Sequence, residues 1–173
     1  METTQTKQPG CNIFLIGFMG AGKSTIAAEL KRQLQLELIE MDQLIEEQQG
    51  MPITEIFAKY GEDYFRKLET DMLVSFQDKT NTVVSCGGGI VKKPENLRAL
   101  HQNGIILFID RPVDALAVGG GRPLSSSMDA LRQMEAQRRP LYLAAADAVI
   151  PNNGTLDDAL HAAMEALDEI FDS

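Results

Sequence analysis

The residues best suited to chemistry begin at Gly17-Phe18-Met19-Gly20-Ala21-Gly22-Lys23-Ser24-Thr25. The spacing Gly17-x-x-x-x-Gly22-Lys23-Ser24 is that of a loop that holds phosphates. Its glycines let the backbone bend around an anion with N–H groups pointing inward, and the helix that follows adds its positive end. The lysine reaches the outer phosphates and the serine hydroxyl can ligate magnesium. The alternative is an ordinary glycine-rich turn. Against it stand the apolar run Ile13-Phe14-Leu15-Ile16 before the loop and the helical pattern Ile26-Ala27-Ala28-Glu29-Leu30 after it. Nucleotide phosphates are therefore expected on Gly20, Ala21, Gly22, Lys23, Ser24 and Thr25, with Ser24 also a metal ligand.

Other reactive groups follow later apolar runs. Glu40-Met41-Asp42 sets two carboxylates two residues apart, where they can hold hydrated magnesium or accept a proton from an attacking hydroxyl. Acidic residues also favour helix N-termini, which is the plainer reading. Ser85-Cys86-Gly87-Gly88-Gly89 can press backbone donors against a ligand or simply turn the chain. Arg66, Arg122 and the pair Arg138-Arg139 complete the set. In an acidic chain most arginines are surface ion-pair partners, and Arg122, inside a glycine-rich stretch, is the one least easily read so.

These residues need elements to hold them. Runs rich in Val, Ile and Leu at 12–16, 37–41, 82–86, 105–109 and 148–150 read as strands. Helical patterns at 24–34, 62–77 and 94–102 lie between them. Alternation of this kind predicts an α/β fold with a five-stranded parallel sheet, helices on both faces and ligands at the carboxyl ends of the strands. Short helical segments at 43–49 and 53–60, punctuated by Gly50-Met51-Pro52 and Gly61, form an insertion over about 42–67 that can shape a small-molecule pocket. A second insertion, about 117–129, is rich in Gly and Ser and suits a mobile lid. From 155 onward, apolar residues recur at helical spacing behind Thr155 and Asp158, placed as a cap. Residues 1–10 are expected to be a disordered tail and 11–173 a single domain.

With 173 residues, 44% hydrophobic and 24% charged, the chain has the composition of one globular domain, and no apolar run is long enough to span a bilayer. A net charge of −9 argues against a nucleic-acid surface, so an anionic ligand requires a local basic cluster. Cys11 and Cys86 have neither metal-ligand nor disulfide-scaffold spacing, which points to a reducing compartment, the cytoplasm. His101 and His161 fall on helices as surface or packing residues.

The ordered series "GFMGAGKST", Glu40 with Asp42, "YFRKLE", "VVSCGGG", "RPL" and "RRPLY" resembles shikimate kinase, of the P-loop small-molecule kinase group, over nearly the whole chain after residue 10. The resemblance implies a three-layer P-loop kinase fold and phosphorylation of the 3-hydroxyl of shikimate by ATP with Mg2+, within the chorismate pathway to aromatic amino acids. It implies that Asp42 binds and orients the acceptor hydroxyls, that Arg66 and Arg138 grip the carboxylate, and that Gly87, Gly88 and Gly89 supply backbone donors. Phe57 and Phe65 would form apolar walls, and Lys23, Asp42 and Arg122 would be the catalytic set, Arg122 closing on the phosphates from the lid. ATP and shikimate are the implied partners, with no nucleic acid or membrane, and the protein a monomer.

The chain departs from the family at two places. Glu40 stands where the family has an aspartate near magnesium. The lid reads Leu116-Ala117-Val118-Gly119-Gly120-Gly121, without the arginine that the family packs on adenine, and "RPL" is followed by Ser125. A gluconate or nucleoside monophosphate kinase of the same fold, or a catalytically silent nucleotide-binding paralogue, are the competing readings. The arginine pair with the triple glycine argues against the first, and the presence of Lys23, Asp42 and Arg122 against the second.

Overall fold

The computed structural model describes residues 11–118 and 125–172. Strands β1 (Asn12–Ile16), β2 (Glu37–Glu40), β3 (Thr82–Ser85), β4 (Gly104–Asp110) and β5 (Ala148–Pro151) form one sheet in the order β2-β3-β1-β4-β5. All neighbouring pairs are parallel, so the strand carboxyl ends, and the loops that leave them, share one edge. β1 lies in the middle, which places the glycine-rich loop that follows it at the centre of that edge.

Successive side chains of a strand point to opposite faces, and a parallel sheet covered on both faces takes apolar residues at consecutive positions. β1 does this throughout. Phe14 and Ile16 join Val84, Ile106 and Phe108 in one core, while Ile13 and Leu15 join Val83, Ile105, Leu107 and Ile109 in the other. Helices α1 (Lys23–Leu34) and α7 (Leu156–Asp172) cover the second face through Ile26, Ala27, Leu30, Ala159, Leu160, Ala163 and Leu167. The first face is covered by α2 (Met41–Gln49), α3 (Ile53–Tyr60), α4 (Glu62–Ser75), α5 (Pro94–Asn103) and α6 (Ser125–Ala145).

α7 starts with the expected cap. The Asp158 amide donates to Thr155 Oγ1 at 3.1 Å and the Thr155 amide to Asp158 Oδ2 at 3.3 Å. Two boundaries move. Met41 is already helical, so Glu40 is the N-cap of α2 and Asp42 sits in its first turn, where a carboxylate meets the positive helix end. The stretch expected as a lid to residue 129 is helical from Ser125, the first residue of α6. Its serines read as loop by composition, yet serine also opens helices, and Pro140 in the interior masks the helical pattern. Residues 1–10 and the centre of the lid, with Arg122, lie outside the described residues.

Leu15 is fully buried on the central strand, whereas Val149 on β5 is exposed. Leu15→Ala should cost about 2–5 kcal/mol in urea unfolding, and Val149→Ala should stay within about 0.5 kcal/mol. Equal losses would show that the cores do not carry the stability.

Candidate active site

Gly22 adopts φ +98° as the N-cap of α1, a conformation open to glycine. A side chain there would also strike Asn152, whose Nδ2 lies 2.6 Å from the position of a Cβ. Asn152 Nδ2 donates to the Ala21 carbonyl at 2.7 Å and its amide to the Asp110 carbonyl at 2.8 Å, so β4, β5 and the loop are tied together. Lys23, the first residue of α1, is buried. Its ammonium donates to the carbonyls of Gly17 and Phe18 and makes no ion pair with any described carboxylate. Burial lowers its pKa to about 8.

One turn into the site, the Ser24 hydroxyl donates to Glu40 Oε2 at 2.9 Å and lies 3.5 Å from the Ser85 hydroxyl. The loop serine and the carboxylate at the end of β2 thus converge. Although Glu40 is one methylene longer than aspartate, its carboxylate reaches the serine directly. Magnesium in nucleotide sites keeps several waters and takes one or two protein oxygens besides phosphates. Ser24 and Glu40 fit that pattern, and the described residues hold no larger cluster of His, Cys, Asp and Glu that would form a cage of its own. Asp42 faces the same cleft, of about 580 Å³, together with Lys23, Gly87 and Gly88. Burial pushes its carboxyl pKa up, against the opposing pull of Lys23 and Arg66.

Beyond Asp42 the cavity continues into a cleft of about 420 Å³ whose lining includes Phe57, Phe65, Arg66, Glu69, Gly87, Gly88, Gly89 and Arg138. Phe57 and Phe65 stack with ring centroids 5.0 Å apart and form its apolar side. Arg66 Nη1 donates to Glu69 Oε1 at 2.6 Å, one turn along α4, and the guanidinium lies so close across Gly89 that a Cβ there would overlap it. Glu69 is fully buried, with Oε2 unpartnered and 3.0 Å from where a Cβ of Gly87 would stand. Burial raises its pKa, with Arg66 opposing. The glycines at 87 and 89 therefore make room for charged side chains.

The two neighbouring arginines of α6 take different parts. Arg139 forms a fork with both oxygens of Asp110, at 2.8 and 2.7 Å, which ties α6 to the end of β4. Arg138 makes no ion pair among the described residues and lies with Nη1 3.3 Å from the Cβ position of Gly88. Tyr142, one turn along α6 and fully buried, donates its hydroxyl proton to the Gly88 carbonyl. Burial raises its pKa to about 12, so it stays a donor at neutral pH. Tyr142 thereby fixes the glycine segment against the helix that carries Arg138.

The structure brings together Gly20 to Thr25, Glu40, Asp42, Phe57, Arg66, Gly87 to Gly89 and Arg138 along three adjoining clefts that share lining residues. Arg122 lies outside the described residues. Sequence reasoning missed Glu69, Ser85 and Tyr142. Glu69 stands three residues after Arg66 and Tyr142 four after Arg138, spacings that place side chains on one helix face and were available as a signal.

The model of the family described as shikimate kinase matches residues 19–170. The chain belongs to the shikimate kinase family. A shikimate kinase of Clostridium botulinum is 37% identical over 152 residues, covering 86% of this chain and 92% of that protein. One of Dehalococcoides mccartyi is 38% identical over 168 residues, covering 94% and 92%. The structure superposes on that of shikimate kinase from Acinetobacter baumannii in complex with shikimate with a TM-score of 0.85, at 31% identity and covering 95% of both chains. Membership in the shikimate kinase family matches the five-stranded parallel sheet and its P-loop kinase topology.

The buried Lys23 gives a pH signature. Its proton leaves the folded chain at about 8 but the unfolded chain only near 10.5, so between these values the unfolded state binds more protons and this group makes stability rise with pH. Over that window the unfolding free energy of the wild type should gain on that of Lys23→Met by up to about 1.4 kcal/mol per pH unit. Parallel pH profiles would show that the ammonium is not held in a desolvated state.

Proposed function

We propose that the protein transfers the γ-phosphoryl group of ATP to the 3-hydroxyl of shikimate, giving shikimate 3-phosphate and ADP in the chorismate pathway. The observation that carries this is a row of adjoining clefts. They run from the phosphate loop, past Asp42, to one where Arg138 has no carboxylate partner among the described residues, in a chain of net charge −9. A guanidinium left without a carboxylate in such a chain suits an anionic acceptor, and its planar fork matches a carboxylate. Family membership supports the same acceptor.

Phosphoryl transfer proceeds through a loose, charge-spread transition state, so the protein's work is positioning and charge stabilisation. Lys23 exchanges the Gly17 and Phe18 carbonyls for the outer phosphates. Ser24 and Glu40 would hold magnesium, which when bound would supply charge neutralisation at the phosphates, and the bond from the γ-phosphorus to the ADP oxygen breaks as the acceptor attacks. Asp42 orients the acceptor hydroxyl, whose oxygen bonds to the γ-phosphorus while its proton passes to the carboxylate. Arg66 and Arg138 grip the acid, with Glu69 keeping Arg66 in place, and Phe57 packs on the ring. Gly87 to Gly89 lend backbone groups, and Arg122 is assigned to the phosphates on the family resemblance. The apolar wall of Phe57 and Phe65, whose rings meet at 39°, suits the compact carbocycle of shikimate. No helix among the described residues is long and apolar enough to cross a membrane, and the two unpaired cysteines accord with a cytoplasmic enzyme.

A coupled ADP-release assay should show turnover that requires shikimate and magnesium together and is absent with gluconate or nucleoside monophosphates. ADP release equal with and without shikimate overturns the reading. Arg138→Ala should raise the shikimate KM by an amount equivalent to about 2–5 kcal/mol while leaving the ATP KM within about twofold, with Arg138→Lys intermediate. An unchanged shikimate KM would place the carboxylate elsewhere.

A further inference from the structure

The chain carries no arginine between residues 112 and 121, so the approach to the lid offers the nucleotide no cation there. The structure supplies one from another direction. Arg111 directly follows β4, whose carboxyl end is pressed against the start of the phosphate loop: the Ile109 carbonyl lies 2.5 Å from where a Cβ of Gly17 would be. Arg111 is half-buried and lines two adjoining clefts of about 330 Å³ each. One is the cleft of the loop itself, residues 20–25. The other runs outward between Pro112 and Ala115 on one side and Asn152, Asn153 and Gly154 on the other.

Gly22, Thr25 and Arg111 are the residues common to both clefts. Arg111 has no hydrogen bond or ion pair among the described residues. The adjacent carboxylate, Asp110, is taken by the fork of Arg139. An unfilled guanidinium thus stands at the junction of an anion-binding loop and a slot open to a heterocycle, in a chain whose other charges are mostly acidic. A nucleotide with its outer phosphates in the loop and its base in the slot has its α-phosphate at that junction.

We infer that Arg111 binds the α-phosphate of the nucleotide, supplying from the end of β4 a cation that residues 112–121 lack. The inference rests on the reading of the loop as an ATP site. It makes Arg111 a binding residue that acts at the end of the nucleotide remote from the transferred group. Since Arg111 makes no hydrogen bond or ion pair among the described residues that its removal would break, variants should fold.

Calorimetric titration of wild type, Arg111→Ala and Arg111→Lys with ADP, AMP and adenosine tests it without turnover. Arg111→Ala should weaken ADP and AMP about tenfold and leave adenosine unchanged, with Arg111→Lys between the two. The shikimate KM should not move. ADP affinity unchanged in Arg111→Ala overturns the inference while leaving the kinase reading intact. Adenosine weakened as much as ADP also overturns it, because the guanidinium would then face the base. Wild-type protein that binds no ADP removes both readings.

Discussion

Lys23 is a cation held out of water whose hydrogen-bond partners among the described residues are carbonyl oxygens, and much of the architecture exists to keep it there. A buried ammonium without a carboxylate is costly, as its pKa of about 8 records. The loop offsets part of that cost by turning the Gly17 and Phe18 carbonyls inward, which it can do because β1 is locked between β3 and β4 and buried on both faces. The two apolar cores make the destabilised site affordable. A phosphate arriving in the loop gives the ammonium the direct ionic partner that Asp42 and Glu40, which influence it without pairing with it, do not supply.

The same withholding recurs along the cavity. Among the described residues Glu69 is buried with one oxygen satisfied by Arg66 and the other unpartnered, and Arg138 has no carboxylate although its neighbour Arg139 has two. Groups in such states are poised to gain more from a complementary ligand than from the protein itself, which is how a site achieves affinity at the expense of stability. In a chain of net charge −9 this is also selective, since an anion finds favourable potential only inside the cavity.

Close approach of backbone and charge is what shapes the acceptor side. Gly87 and Gly89 are narrow because Asp42, Glu69 and the Arg66 guanidinium occupy the space a side chain would take. Tyr142 then anchors the segment through the Gly88 carbonyl from a fully buried position, packed 5.1 Å from Phe108. A polar hydroxyl in an apolar core is stable only with such a partner, so core packing and site geometry are set by one side chain.

Much was legible in the sequence because local chemistry forces it. The run Ile13 to Ile16, the glycines and lysine after it, and the alternation of apolar runs with helical patterns each have few physical realisations, and they yield the parallel sheet and the phosphate loop at its carboxyl edge. The triple glycine, Asp42 and the arginines announced a site by residue type. What sequence could not decide was partnership. Arg138 and Arg139 are adjacent and chemically identical; only the packing of α6 against β4 gives Asp110 to one, while the other meets Tyr142 and the Phe18 ring. α6 itself was obscured by its serines and Pro140, because contacts with the core override local propensity. Nothing in the sequence singles out Arg111, which the end of β4 sets between two clefts. Residue types determine which chemistries are possible, whereas pairing between charges depends on distances across elements far apart in the chain, and those exist only in the tertiary structure.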